Sequence, residues 1–188
     1  QSGWSGQVEE TKHEVRMKQQ TARIENATLE RLFEVAIALE RQAEALYSGF
    51  AERFAHCYEA VLFWRRYAAD EVLHRICLER LRDSLPPDKL GKPADGALLA
   101  AGERLLEITP FQRVAGLANL DDAYELSHEL ESSETNVIFR FLVGEFSHDK
   151  RVIARLADDL ERHVEALVTA FPTAYRSRAS RQAVEPLS

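Results

Sequence analysis

The stretch Tyr67-Ala68-Ala69-Asp70-Glu71-Val72-Leu73-His74-Arg75-Ile76-Cys77-Leu78 places two ionisable residues in the middle of an apolar helix face. Residues three and four apart share one face of a helix, so Tyr67, Glu71, His74 and Leu78 line up. The same face runs back through Trp64, Phe63 and Ala60 and forward to Leu81. The pattern predicts a helix from about Tyr58 to Arg82. It stops at Ser84-Leu85-Pro86-Pro87, where proline lacks an amide donor and clashes with the preceding turn. An ionised carboxylate buried alone costs several kcal/mol, so Glu71 on such a face needs a partner or a metal.

Working outward, the preceding segment reads Leu29, Phe33, Ala36, Ile37, Glu40, Ala43, Glu44, Tyr47, Ala51 and Phe54 at helical spacing. Asn26 or Thr28 is its N-cap, and it ends near His56. Beyond the double proline, Asp88 to Gly96 reads as a loop, with Gly91, Pro93 and Gly96. Two short helices, Ala97–Ile108 and Pro110–Leu117, come next, the second capped by Thr109 with proline at its first position. A third long helix is announced by Asn119 and Asp121-Asp122 and continues to about Gly144. Its face is Tyr124, Ser127, Glu131, Glu134, Ile138, Phe141 and Leu142. Ser147 caps a fourth, which ends at Phe171 before Pro172 and whose face holds Val152, Leu156, Asp159, Leu160, His163, Ala166, Leu167 and Ala170. The expected architecture is all-α: two antiparallel hairpins joined by a long crossover, 85–118, within a four-helix bundle over 26–172. Residues 1–25 hold only Val8, Val15, Met17 and Ile24 at thin spacing and read as an arm or tail. Residues 173–188, with Arg176, Arg178 and Arg181, read as a second tail.

Composition narrows the classes. With 188 residues the chain suits one domain, and 31 acidic against 24 basic residues leave a net charge of −7. That balance argues against a nucleic-acid or anionic-membrane partner. No apolar run approaches the roughly 18 residues of a membrane span, and Gln1 to Gly6 has no apolar core of a signal peptide. Cys57 and Cys77 stand apart, which excludes a zinc ribbon or rubredoxin-type iron site and fits reduced cysteines in the cytoplasm. The opposite face of helix two, with Leu62, Ala69, Leu73 and Ile76, is apolar as well. A helix apolar on both sides predicts a contact with another subunit, hence a homodimer or higher homo-oligomer.

The levels of the misplaced polar residues coincide. Glu40 lies 16 residues before the turn near residue 56 and Glu71 lies 15 after it. Glu131 lies 15 before the turn near residue 146, while Asp159 and His163 lie 13 and 17 after it. At about 1.5 Å per residue, all sit roughly 20–25 Å from their hairpin ends, at mid-bundle. Carboxylates with imidazole in a helical core suit iron or manganese. Three further Glu-x-x-His pairs, Glu10/His13, Glu125/His128 and Glu145/His148, fall in the arm, on a flank and across a turn, where solvated charge is the ordinary reading. Glu44 lies at the edge of its stripe, and Tyr67 and Trp64 read as packing residues.

Leu39-Glu40 followed by Tyr47, then Glu71-x-x-His74, Leu130-Glu131-x-x-Glu134 and His163, resembles the ferritin-like superfamily, nearest its rubrerythrin branch. The resemblance spans residues 27–171 through these motifs and the hairpin–crossover–hairpin order. It implies a non-haem carboxylate site of one or two irons per chain, with manganese or zinc as substitutes, reacting with peroxide or oxygen and oxidising Fe(II). The implied ligands are Glu40, Glu71, His74, Glu131, Glu134 and His163. Glu134 matches the extra ligand that distinguishes rubrerythrins from ferritins, and Tyr47 a position that contacts the site and could act in catalysis. Two departures stand out. Leu160 occupies the position of the fourth-helix glutamate; Glu161 points about 160° away from His163 at 3.6 residues per turn, which leaves the shorter Asp159 as substitute and a dinuclear or a mononuclear site as alternatives. Helix three has Ile138 and Phe139 where the family pattern has a tyrosine beyond Glu134. With no rubredoxin module, an electron donor would be a separate molecule. The competing expectations are a non-catalytic bundle of the same fold serving metal sequestration or protein assembly, and a plain helical module whose buried charges pair with Arg75 or Arg155.

Overall fold

The computed structural model describes residues 27–131, 134–147, 151, 158, 162–163 and 165–171. The expected arm 1–25, the tail 173–188, and Asp159, Leu160 and most of the fourth helix lie outside the described residues. What is described is all-α: α1 Leu29–Arg53, α2 Tyr58–Ser84, α3 Pro87–Leu90, α4 Gly96–Leu105, α5 Pro110–Ala115, α6 Leu120–Glu131 and α7 Glu134–Phe146, with residues 162–163 and 165–169 also helical. Among these residues no helix is long and apolar enough to cross a membrane.

Local chemistry accounts for the helix ends. Thr28, rather than Asn26, caps α1, its hydroxyl accepting from the Arg31 amide at 3.2 Å. Asp95 caps α4 by accepting from the amides of Ala97 at 2.8 Å and Leu98 at 3.2 Å. Thr109 and Gln112 form a reciprocal capping box at α5. Asn119 and Asp122 serve α6 in the same way: the Asn119 side-chain Oδ1 accepts from the Asp121 amide at 2.8 Å, and the Asp122 carboxylate accepts from the Ala118 amide at 2.7 Å. The segment after the double proline differs from the expected loop. Pro87 opens the one-turn helix α3, because a first-turn proline gives up no helical hydrogen bond. The helices α4 and α5 close at Leu105 and Ala115, short of the expected Ile108 and Leu117.

The crossover is tied to α1 along its length. Lys92 accepts from the Leu29 amide at 2.9 Å, Glu103 pairs with Arg31 at 3.1 Å, Leu106 accepts from Gln42 at 3.3 Å and the Leu117 carbonyl accepts from Arg53. Gly102 makes the approach of α4 possible: a Cβ there would lie 2.6 Å from Val35 Cγ1 and 2.9 Å from Ile138 Cδ1. The α1 helix is consequently covered on two sides, by α2 and α6–α7 on one and by the crossover on the other.

The interior falls into two apolar halves. One is aromatic and gathers Tyr47, Phe50, Trp64, Tyr67, Leu120, Tyr124, Leu167 and Phe171. The other is largely aliphatic and gathers Leu32, Leu39, Leu78, Leu99, Ile138 and Leu142 with Phe33 and Phe139. Helix α1 passes from the aliphatic half to the aromatic half between Leu39 and Ala43, and α2 returns between Ala68 and Leu78. The run α6–α7 goes the same way as α2, from Leu120 and Tyr124 to Ile138 and Leu142, which requires a connection as long as the molecule. One expectation of burial fails for the described chain: Phe141 is 38% exposed rather than inward, because Ile138 and Leu142 already take the inner face of α7. The outer face of α2, with Leu62 50% and Leu73 62% exposed, is not covered by the described residues.

Candidate metal centre

The boundary between the two apolar halves is a layer of buried polar side chains. Glu40, Glu71, His74, Glu131 and His163 are all 6% exposed or less. They come from α1, α2, α6 and the helical residues 162–163, so residues remote in sequence meet at one level, as the counting from the turns requires. Within the layer, Glu40, Glu71 and His74 offer ligand atoms within 4.8 Å of one another, and so do Glu71, Glu131 and His163. The two groups share Glu71. Its Oε2 lies 3.0 Å from His74 Nδ1, and its Oε1 lies 3.9 Å from His163 Nδ1. One carboxylate thus presents one oxygen to each group.

The imidazoles are oriented differently. His163 Nε2 sits 3.0 Å from Asp70 Oδ2, which leaves Nδ1 facing Glu131 at 3.8 Å and Glu71 at 3.9 Å. That buried Nδ1 has no hydrogen-bond partner among the described residues. A buried imidazole nitrogen facing two carboxylates just beyond hydrogen-bond reach is a donor set that could hold a cation. The Tyr67 hydroxyl donates to the His163 carbonyl at 2.5 Å and holds that turn in place. His74 Nδ1, by contrast, is hydrogen-bonded to Glu71 and lies 3.7 Å from Glu40. Glu131 is held at both oxygens: the Tyr47 hydroxyl donates to Oε1 at 2.5 Å and the Asn136 amide to Oε2 at 3.3 Å.

The charge states of the metal-free layer follow from this geometry. Burial would lower both histidines, but facing carboxylates outweigh it: Glu40 and Glu71 raise His74 to about 10, while Asp70 and Glu131 raise His163 to about 9. Burial, with Glu40 and Glu131 nearby, pushes Glu71 well up against the pull of His74. For Glu131 burial is overcome by His163, Tyr47 and Asn136, which hold it below the usual carboxylate range. The hydrogen bond to His163 lowers Asp70. Burial and the Glu131 carboxylate raise the Tyr47 phenol far above its ordinary value, so it remains a donor. Both imidazoles therefore favour the protonated form, and a cation taken up between these carboxylates would have to displace those protons.

The structure brings together Glu40, Glu71, His74, Glu131 and His163, with Tyr47 touching the layer through Glu131. Glu134 opens α7, but its side chain, like Asp159, lies outside the described residues. The second group forms from Glu71, Glu131 and His163 without recourse to residue 160. Glu44 reaches Arg75 at 3.8 Å rather than the layer, and Glu125, His128 and Glu145 are exposed. Trp64 stacks on Tyr47 with centroids 5.7 Å apart and belongs to the aromatic half. Sequence reading did not find Asp70 and Asn136. Asp70 lies beside Glu71 but off the helix face, and its partner is 93 residues away. Asn136 reaches back five residues to Glu131. Hard carboxylate oxygens with one imidazole in each group suit divalent iron, manganese or zinc.

No protein-family model, no curated protein and no solved structure matches this chain.

Proposed function

We propose that this chain is a ferritin-like, non-haem iron protein whose two metal positions share Glu71 and whose reaction is the oxidation of Fe(II) by peroxide or oxygen. The observation that carries the reading is the double use of Glu71, one oxygen toward Glu40 and His74 and the other toward Glu131 and His163. The parallel course of α2 and α6–α7, joined by a crossover, supports the ferritin-like bundle. Bound iron supplies the redox chemistry, two Fe(II) giving up two electrons to one peroxide. The chain's contribution is to hold the ions side by side in an apolar interior. Glu71 spans both positions, the Tyr47 hydroxyl and Asn136 amide keep Glu131 in place, and Asp70 fixes the ring of His163 while being itself half-buried at the edge of the layer. Two free cysteines accord with a reducing, cytoplasmic setting. The open apolar face of α2 is the surface on which a homo-oligomer would close.

The test is iron loading under exclusion of oxygen, metal analysis, and then addition of peroxide or oxygen while Fe(III) absorbance is followed. The expected result is about two irons per chain in the wild type, a near-complete loss in Glu71→Ala, and oxidation within seconds to minutes by one of the two oxidants. No bound iron after loading overturns the reading. Bound iron that neither oxidant converts favours sequestration.

A further inference from the structure

The two metal positions are not equivalent, and the difference lies in what the protein has already arranged around them. At the Glu71/Glu131/His163 position every terminal ligand is held from behind. His163 is fixed by Asp70 at Nε2 and by Tyr67 at its carbonyl, and its Nδ1 points inward with no hydrogen bond to break. Glu131 is held by Tyr47 at one oxygen and Asn136 at the other. An ion arriving there finds an imidazole and two carboxylates already turned toward it. At the Glu40/Glu71/His74 position, His74 Nδ1 is engaged with Glu71 at 3.0 Å, so an ion entering must replace that hydrogen bond. Among the described residues no side-chain hydroxyl or amide donor reaches the Glu40 carboxylate. Groups that orient ligands from behind are worth about 10- to 100-fold in metal affinity when removed.

We infer that the Glu71/Glu131/His163 position holds a resident ion, that the Glu40/Glu71/His74 position is the exchanging one, and that Asp70 and Asn136 are the positioning residues that create the difference. The inference rests on the proposed metal-binding reading and adds an order to it. An ion at the first position would be the one released more slowly, and ions would exchange with solution chiefly on the Glu40 side. Neither Asp70 nor Asn136 needs to touch the ions for this; each acts through the ligand it restrains.

The experiment is a titration of the metal-free full chain with Co(II), followed by visible absorption and by calorimetry. The wild type is expected to bind two ions in two separated steps. Glu40→Ala should lose the weaker step and keep the tighter one unchanged. Asp70→Ala should weaken the tighter step about 10- to 100-fold, and Asp70→Asn, whose amide oxygen still accepts from His163 Nε2, should restore most of it. Asn136→Ala should weaken the same step and guards against a failure of Asp70→Ala to fold, which circular dichroism would show. Loss of the tighter step in Glu40→Ala overturns the assignment. A single step of two equal ions in the wild type, or an Asp70→Asn variant no better than Asp70→Ala, also overturns it while leaving a metal protein. No Co(II) bound at all removes the metal-binding reading itself.

Discussion

The aromatic and aliphatic halves of the interior are both well buried, yet they treat the polar layer between them differently. The aromatic half supplies hydroxyl donors at its border: Tyr47 to Glu131 and Tyr67 to the His163 carbonyl. The aliphatic half borders the layer with side chains that only fill space, such as Leu39 and Leu78, and with Phe139, whose ring lies 5.0 Å from His74. The aromatic side of the layer is therefore anchored by two phenolic hydroxyls, whereas the aliphatic side adds the Asn136 amide on α7 and otherwise packs by shape. A charged layer inside an apolar core is costly unless its members are satisfied. The unequal support shows where that satisfaction is already built in and where it waits for a ligand.

Truncating the largest buried ring tests the contrast most severely. Trp64→Ala should cost about 3–5 kcal/mol in chemical denaturation. It should also weaken metal binding, because Trp64 stacks on the Tyr47 ring that holds Glu131. Leu142→Ala, in the aliphatic half, should cost about 2–5 kcal/mol and leave metal binding intact. Equal effects of the two on metal affinity would erase the distinction between the halves. Tyr47→Phe keeps the packing and removes one donor to a carboxylate, so a loss of about 1.5–3 kcal/mol is expected in the metal-free protein. Gly102→Ala should cost about 1–3 kcal/mol, because its Cβ meets Val35 and Ile138 where α4 lies against α1. That variant should bind metal as the wild type does.

A dependence on pH is expected as well. His74 and His163 are raised in the folded, metal-free chain to about 10 and about 9, above the roughly 6.5 of an unfolded histidine. A raised histidine contributes stability that is complete below the unfolded value and is lost as pH climbs through the folded one. The melting temperature of the metal-free protein should thus fall between pH 7 and 10, and saturation with metal should flatten that slope because the ions replace the protons. A metal-free melting temperature that rises over this range would contradict the charge states assigned to the layer.

Much of this organisation is written in local patterns. Thr28, Thr109 and the Asn119/Asp122 pair cap helices by contacts within four residues, which a linear reading captures. The layer was legible because helical rise is constant: Glu40, Glu71, Glu131 and His163 are nearly equidistant from their turns, so antiparallel packing brings them level. The seating of the crossover was not legible. It depends on Gly102 meeting Val35 and on Gln42 reaching Leu106, pairs with no local signature. Asp70 escaped for a related reason, since a residue off the apolar face gains meaning only from the chain that crosses it. Phe141 has the right spacing for the core, but spacing identifies a stripe of some width and not which of its edges reaches solvent.

The central claim is that Glu71 spans two metal positions, and anomalous scattering from crystals grown with Mn(II) tests it most directly. The account predicts two anomalous peaks about 3.5–4 Å apart, as in two-metal sites generally, on either side of the Glu71 carboxylate. One peak should lie beside Glu40 and His74 and the other beside Glu131 and His163. A single peak, or two peaks of which one has no contact with Glu71, would contradict it.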